Sequence, residues 1–152
     1  MTNCKLLAVT VSCLLSLGAA SGNTWATEPG DPVGNWLTQD GRGVVRTEPC
    51  AQGLCGIIVG IARAPSDPMP TDYTGRPQCG MVIFTGTGVL ADGATTEGRI
   101  TDPRDGRTYQ ARLWCDGADR LHLRGYIGVP LLGATQIWRP FVGLITTECR
   151  FA

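Results

Sequence analysis

Leu121-His-Leu-Arg-Gly-Tyr-Ile-Gly-Val129, running on through Pro130-Leu-Leu-Gly133 into Thr135-Gln-Ile-Trp-Arg139, is the stretch whose pattern decides the fold. Leu121, Leu123, Gly125, Ile127 and Val129 alternate with His122, Arg124, Tyr126 and Gly128, which is the period of a β-strand. Residues 130–133 carry turn chemistry, and a second short strand follows with Trp138 and Arg139. The pattern predicts the closing hairpin of a small all-β domain. On the polar face an imidazole, a guanidinium and a phenol line up in steps of two. If that face lines a lumen, His122, Arg124 and Tyr126, with Tyr109 from the preceding strand, form a patch for an anionic head group, because arginine meets carboxylate or phosphate through charge-assisted hydrogen bonds. If it looks outward, they are solvent-side residues, as on most half-buried strands.

Upstream, the same alternation predicts strands at Gly34–Thr38, Gly43–Glu48 (stopped by Pro49), Leu54–Ala62, Met81–Phe84 and Thr108–Cys115. A weaker run, Thr95–Thr101, reads as an edge. Asp40-Gly41 marks a tight hairpin. Residues 63–78 contain four prolines and no sustained apolar period, and they read as a cap across one end of a barrel, anchored by Cys79. About eight short strands without a convincing helix predict an antiparallel sandwich or an up-and-down β-barrel, and meander order would join the last strand to the first and close the barrel. Residues 27–140 form this single domain, and 141–152 a tail with no assigned docking.

The first residues have another purpose. Lys5, the apolar run to Leu17 and the small residues after it have the layout of a secretory signal peptide over residues 1–26, with cleavage fitting after Ala20 or Ala26. Lipid attachment at Cys13 is not expected, since Thr10 stands where a large aliphatic residue is usual and the apolar run continues past the cysteine. The run is too short for a stable transmembrane anchor, so a periplasmic or secreted location is expected. Lys5 is the only lysine, and removing the leader leaves twelve arginines against thirteen acids, a net charge of −1. No basic stripe exists to neutralise a phosphate backbone, which argues against nucleic acid as a partner.

Five cysteines remain after the leader. In an oxidising compartment they are expected to pair as Cys50–Cys55 and Cys79–Cys115, with Cys149 free. The loop-entropy account gives about 2 kcal/mol for the first bridge and about 4 kcal/mol for the second. A redox role is not expected of Cys50-Ala-Gln-Gly-Leu-Cys55, which lacks the Cys-x-x-Cys spacing at a helix start. His122 is the sole histidine, which excludes a metal site of two or more histidines, and no cofactor is implied. Catalysis is not expected either. Ser21 and Ser66 lie in no nucleophile turn, and Asp102 and Asp105 flank Pro103 and precede Gly106, as turn formers do.

Several runs resemble the bacterial secreted family DUF2147: Gly34-Asn-Trp36, Asp40-Gly-Arg-Gly-Val-Val-Arg46, Pro49-Cys50 with Leu54-Cys-Gly56, Arg76-Pro77 with Cys79-Gly80, Asp102-Pro103 with Gly106-Arg-Thr-Tyr109, and Leu123 through Gly133 to Thr135-Gln136 and Trp138. The resemblance implies export and a lipocalin-like barrel, and no established activity. The chain departs from the family pattern in its cap, which lacks an Asn-Pro-Asp run, and at Thr95-Thr96, where a bulky aromatic is expected. Thr101 replaces a common tyrosine, and Ala134 a common arginine. By likeness to lipocalins, Trp36 and Arg139 are expected to stack as a barrel-closing cation–π pair. Two functions fit: a binding module for a small apolar or amphipathic ligand, or an envelope-associated structural or protein-interaction domain with a solidly packed barrel. The number of aromatic side chains among Trp36, Phe84, Tyr109, Trp114 and Trp138 that point inward is expected to separate them.

Overall fold

The computed structural model describes residues 30–87, 96–117 and 119–151. The leader, with its cleavage points, and the connection 88–95, including Thr95, lie outside the described residues. Eight strands form a closed antiparallel barrel: β1 (Gly34–Leu37), β2 (Gly43–Cys50), β3 (Gly53–Ala62), β4 (Val82–Thr87), β5 (Thr96–Thr101), β6 (Thr108–Cys115), β7 (Leu121–Tyr126) and β8 (Gly133–Pro140). Each pairs with the next, and β8 returns to β1 through Trp36 opposite Pro140 and Leu37 opposite Arg139. This is the predicted meander, closed as expected. Among the described residues there is no helix, and so none long and apolar enough to cross a membrane.

Strand limits differ from the expectation where the neighbours decide them. β2 runs through Pro49 to Cys50, because β1 pairs with it only as far as Thr47, and a proline is tolerated where one side of a strand has no partner. The predicted edge strand is no edge: β5 pairs on both sides, with β4 and β6. Its weak pattern has a packing cause. A Cβ on Gly98 would lie 2.3 Å from the Thr85 carbonyl oxygen and 3.0 Å from the Phe84 ring, so the inward position must stay bare. β7 stops at Tyr126, because Gly128 turns the chain with φ of +72°, and Ile127 and Val129 leave the inward face for solvent.

The tail is the largest departure. Arg150–Phe151 forms a ninth strand, β9, parallel to the end of β3 at Ile61 and Ala62. β4 pairs with β3 only up to Ile57, so the two part above it. The gap is filled first by the cap, through Ile58 N–H to Met81 carbonyl at 3.0 Å, and then by the tail, through Ile61 N–H to Cys149 carbonyl at 2.8 Å. Cys79 is therefore bonded to Cys149, and the expected Cys79–Cys115 bridge is corrected. Cys115 sits opposite Leu121 at the far end of the barrel, against the core, out of reach of the cap. Among the described residues it is the free thiol, and burial followed by the charge of Asp31 pushes it up to about 11. Cys50–Cys55 clasps the β2–β3 hairpin as expected.

One end of the barrel is filled. Trp36, Phe84, Leu113, Leu121 and Trp138 are buried there, with Val45, Leu54 and Leu123 around them. Trp36 donates its indole N–H to the Pro32 carbonyl at 2.9 Å and to Thr47 Oγ1 at 3.0 Å, and the Thr47 hydroxyl in turn donates to the Pro32 carbonyl. The expected stacking of Arg139 on Trp36 does not occur. Trp138 takes the inward position on β8, so alternation turns Arg139 outward, where it is exposed.

Candidate functional site

The opposite end of the barrel is open. The β1–β2 turn, the cap, the β5–β6 turn and the β7–β8 loop surround a cavity of about 970 Å3, within the range of small-molecule pockets. Its walls are Val45, Ile58, Ile61, Ile83, Ile100 and Leu123, and Trp138 lies at its inner end. Two inward residues add polarity. Tyr109 stands on the same face of β6 as Ala111 and Leu113, and Gln136 accepts the Trp138 indole N–H at 2.8 Å. Both border the cavity. The polar rim consists of Thr38, Asp40, Arg42, Gln78, Asp102 and Arg104.

Counting inward aromatics does not measure this space. Trp36, Phe84, Tyr109 and Trp138 point inward and only Trp114 outward, yet the cavity persists. Trp36 and Phe84 are packed into the closed end, below the cavity, so their volume is not taken from the mouth.

The four candidate ligand residues separate. Tyr109 and Tyr126 border the cavity, while His122 and Arg124 do not. The polar face of β7 looks outward. His122 stacks on Trp114 with ring centroids 5.0 Å apart. The Arg124 guanidinium bonds Thr135 Oγ1 and loop carbonyls. Tyr126 donates its hydroxyl to Glu97 on the outer face of β5 at 3.1 Å, and Glu97 also pairs with Arg112 at 2.5 Å. The expected patch for an anionic head group is therefore not assembled in the lumen. Sequence reasoning missed Gln136 on β8, although its alternation with Ile137 and beside Trp138 carries the signal.

The mouth is braced by carboxylates in turns. Asp72 accepts the Thr74 hydroxyl at 2.7 Å and the backbone N–H of Thr74 and Arg76, which pinches the cap into a small hairpin bridged at Thr71 and Pro77. Tyr73 N–H then bonds the Pro103 carbonyl, fastening the cap to the β5–β6 turn. Asp102 is held by the forked guanidinium of Arg104 at 3.0 and 2.6 Å. Burial pushes the Asp40 carboxyl up, but the Thr38 hydroxyl and Arg42 bring it below its ordinary value. The Thr74 hydroxyl lowers Asp72, and the Arg104 hydrogen bond lowers Asp102. Carboxyls lowered in the folded state stabilise it fully above their ordinary value of 3.8, and that stabilisation is lost as pH falls through the folded values. Tm is therefore expected to stay level from neutral pH to about 4 and then fall. A Tm that rises on acidification below that point contradicts this bracing.

No group of three or more metal-ligating side chains occurs among the described residues. Residues 34–139 match the profile of a family described as an uncharacterised protein conserved in bacteria, DUF2147. No curated protein and no solved structure matches the chain.

Proposed function

The chain belongs to the DUF2147 family, and we propose that it is an exported, non-enzymatic module that holds a small apolar or amphipathic molecule in its barrel. The observation that carries this reading is the cavity of about 970 Å3, walled by aliphatic side chains beneath a polar rim. That arrangement suits a molecule whose apolar body enters the barrel and whose polar end stays at the mouth. Tyr109 and Gln136 offer it hydrogen bonds inside. Thr101 and Ala134 border the same cavity, and their small side chains take little of its space. A barrel packed solid for a structural role leaves no such space. Export is supported by the leader pattern and by two disulfides, which persist in oxidising compartments.

Native mass spectrometry of gently purified protein is the test, paired with titration of a fluorescent apolar probe. The expected result is a bound mass that disappears on denaturation, and probe binding that Ala134→Trp lowers about tenfold by narrowing the mouth. A wild-type protein that carries no adduct and binds no probe overturns the proposal.

A further inference from the structure

The β7–β8 loop turns apolar side chains to solvent. Ile127, Val129, Leu131 and Leu132 are 69, 53, 86 and 69% exposed, four large aliphatic residues within six positions. The loop is held, not slack. Arg124 lies beneath it and donates from Nε to the Pro130 carbonyl at 2.7 Å, from Nη1 to Thr135 Oγ1 at 2.8 Å and from Nη2 to the Leu131 carbonyl at 3.5 Å. Leu132 N–H closes the turn on the Val129 carbonyl at 3.0 Å. A fixed apolar projection of this kind marks an interaction surface.

Charge identifies its partner. The Arg124 hydrogen-bond acceptors are neutral oxygens, so no carboxylate among the described residues cancels its charge. Arg124 is the charged side chain at the loop itself: residues 125–135 hold no acid, while Arg120, His122 and Arg139 lie toward the closed end, where His122 stands 3.7 Å from Asp116. Three acids elsewhere at the mouth face arginines of their own: Asp102 pairs with Arg104, Asp105 with Arg107, and Asp40 lies beside Arg42. An aliphatic tip above an uncompensated cation is complementary to the acyl chains and phosphates of an anionic membrane. A second copy of the chain fits less well, since a standard interface needs roughly 800 Å2 from each partner, more than a six-residue loop supplies.

We propose that the β7–β8 loop docks this protein on an anionic lipid surface, with Leu131 and Leu132 among the acyl chains and Arg124 near the phosphates. Ile127 and Leu132 also border the cavity, so docking turns its mouth toward the bilayer. The docking does not require the cavity to be filled.

Sedimentation with vesicles of phosphatidylcholine, alone or mixed with phosphatidylglycerol, tests it. The wild-type protein is expected to bind the anionic vesicles more strongly, and less as salt is raised. The double variant Leu131→Asp, Leu132→Asp should bind about tenfold or more weakly at an unchanged Tm, since both side chains are already in solvent. Val142→Asp, which changes an aliphatic residue 98% exposed outside the loop, should bind as the wild type does. No binding by the wild type, undiminished binding by the double variant, or an equal loss in Val142→Asp overturns the proposal. A dimer that the double variant dissociates, without vesicle binding, overturns it too and gives the loop to a second copy.

Discussion

Replacing Cys79 and Cys149 together by serine is expected to lower stability by about 4 kcal/mol, a fall in Tm of about 15 °C for a domain of this size. The sequence separation is 70 residues, and the entropy a bridge removes from the unfolded chain grows with the loop it closes. The same replacement at Cys50 and Cys55, separated by 5, should cost about 2 kcal/mol. The larger loss has a local signature as well. Ile61 N–H bonds the Cys149 carbonyl, so its hydrogen exchange should accelerate more than that of the β6–β7 amides. Equal melting temperatures for the two double variants contradict this account of the seam.

Trp36→Ala is expected to cost about 4 kcal/mol, in the range for removing a buried aromatic side chain from a core. Trp36 is 2% exposed and lies in the closed end with Trp138 and Phe84, where barrel strands on every side limit collapse around a void. Trp36→Phe separates packing from hydrogen bonding. It keeps most of the apolar area and gives up the indole N–H to Pro32 and Thr47, for a loss of about 1 kcal/mol. Denaturant unfolding of the two variants checks both values, and a loss under 2 kcal/mol for the alanine variant removes Trp36 from its place in the core.

Most of the barrel is legible in the sequence because alternation and turn residues are local signals. Thr108–Cys115 and Leu121–Tyr126 carry both faces clearly, and Asp40-Gly41 carries its own turn. What is not legible depends on residues distant in sequence. Gly98 weakens the β5 pattern because Phe84, on another strand, occupies the space a side chain would take. Cys149 finds Cys79 because β4 leaves β3 at Ile57, an event that nothing near either cysteine records. At the candidate site, alternation paired the residues of β7 correctly but could not say which face is inside. Leu123 on the wall and Arg124 outside settle that only once the sheet is curved and closed. Likeness to lipocalins sets Arg139 over Trp36, whereas the strand period, read with Trp138 inward, turns it outside.

The two ends of the barrel have different freedom to change. The closed end interlocks Trp36, Thr47, Pro32 and Phe84, so a new residue there must fit several neighbours at once. The mouth is made of connections between strands that the other end already holds in place. Lengthening a flexible connection to twice its size costs only about 0.6 kcal/mol in closure entropy. New sequences at residues 127–132, or in the cap away from Asp72, Cys79 and Met81, therefore alter the shape of the mouth while leaving the folding largely intact. An engineer can use the same division by grafting loops at the mouth alone.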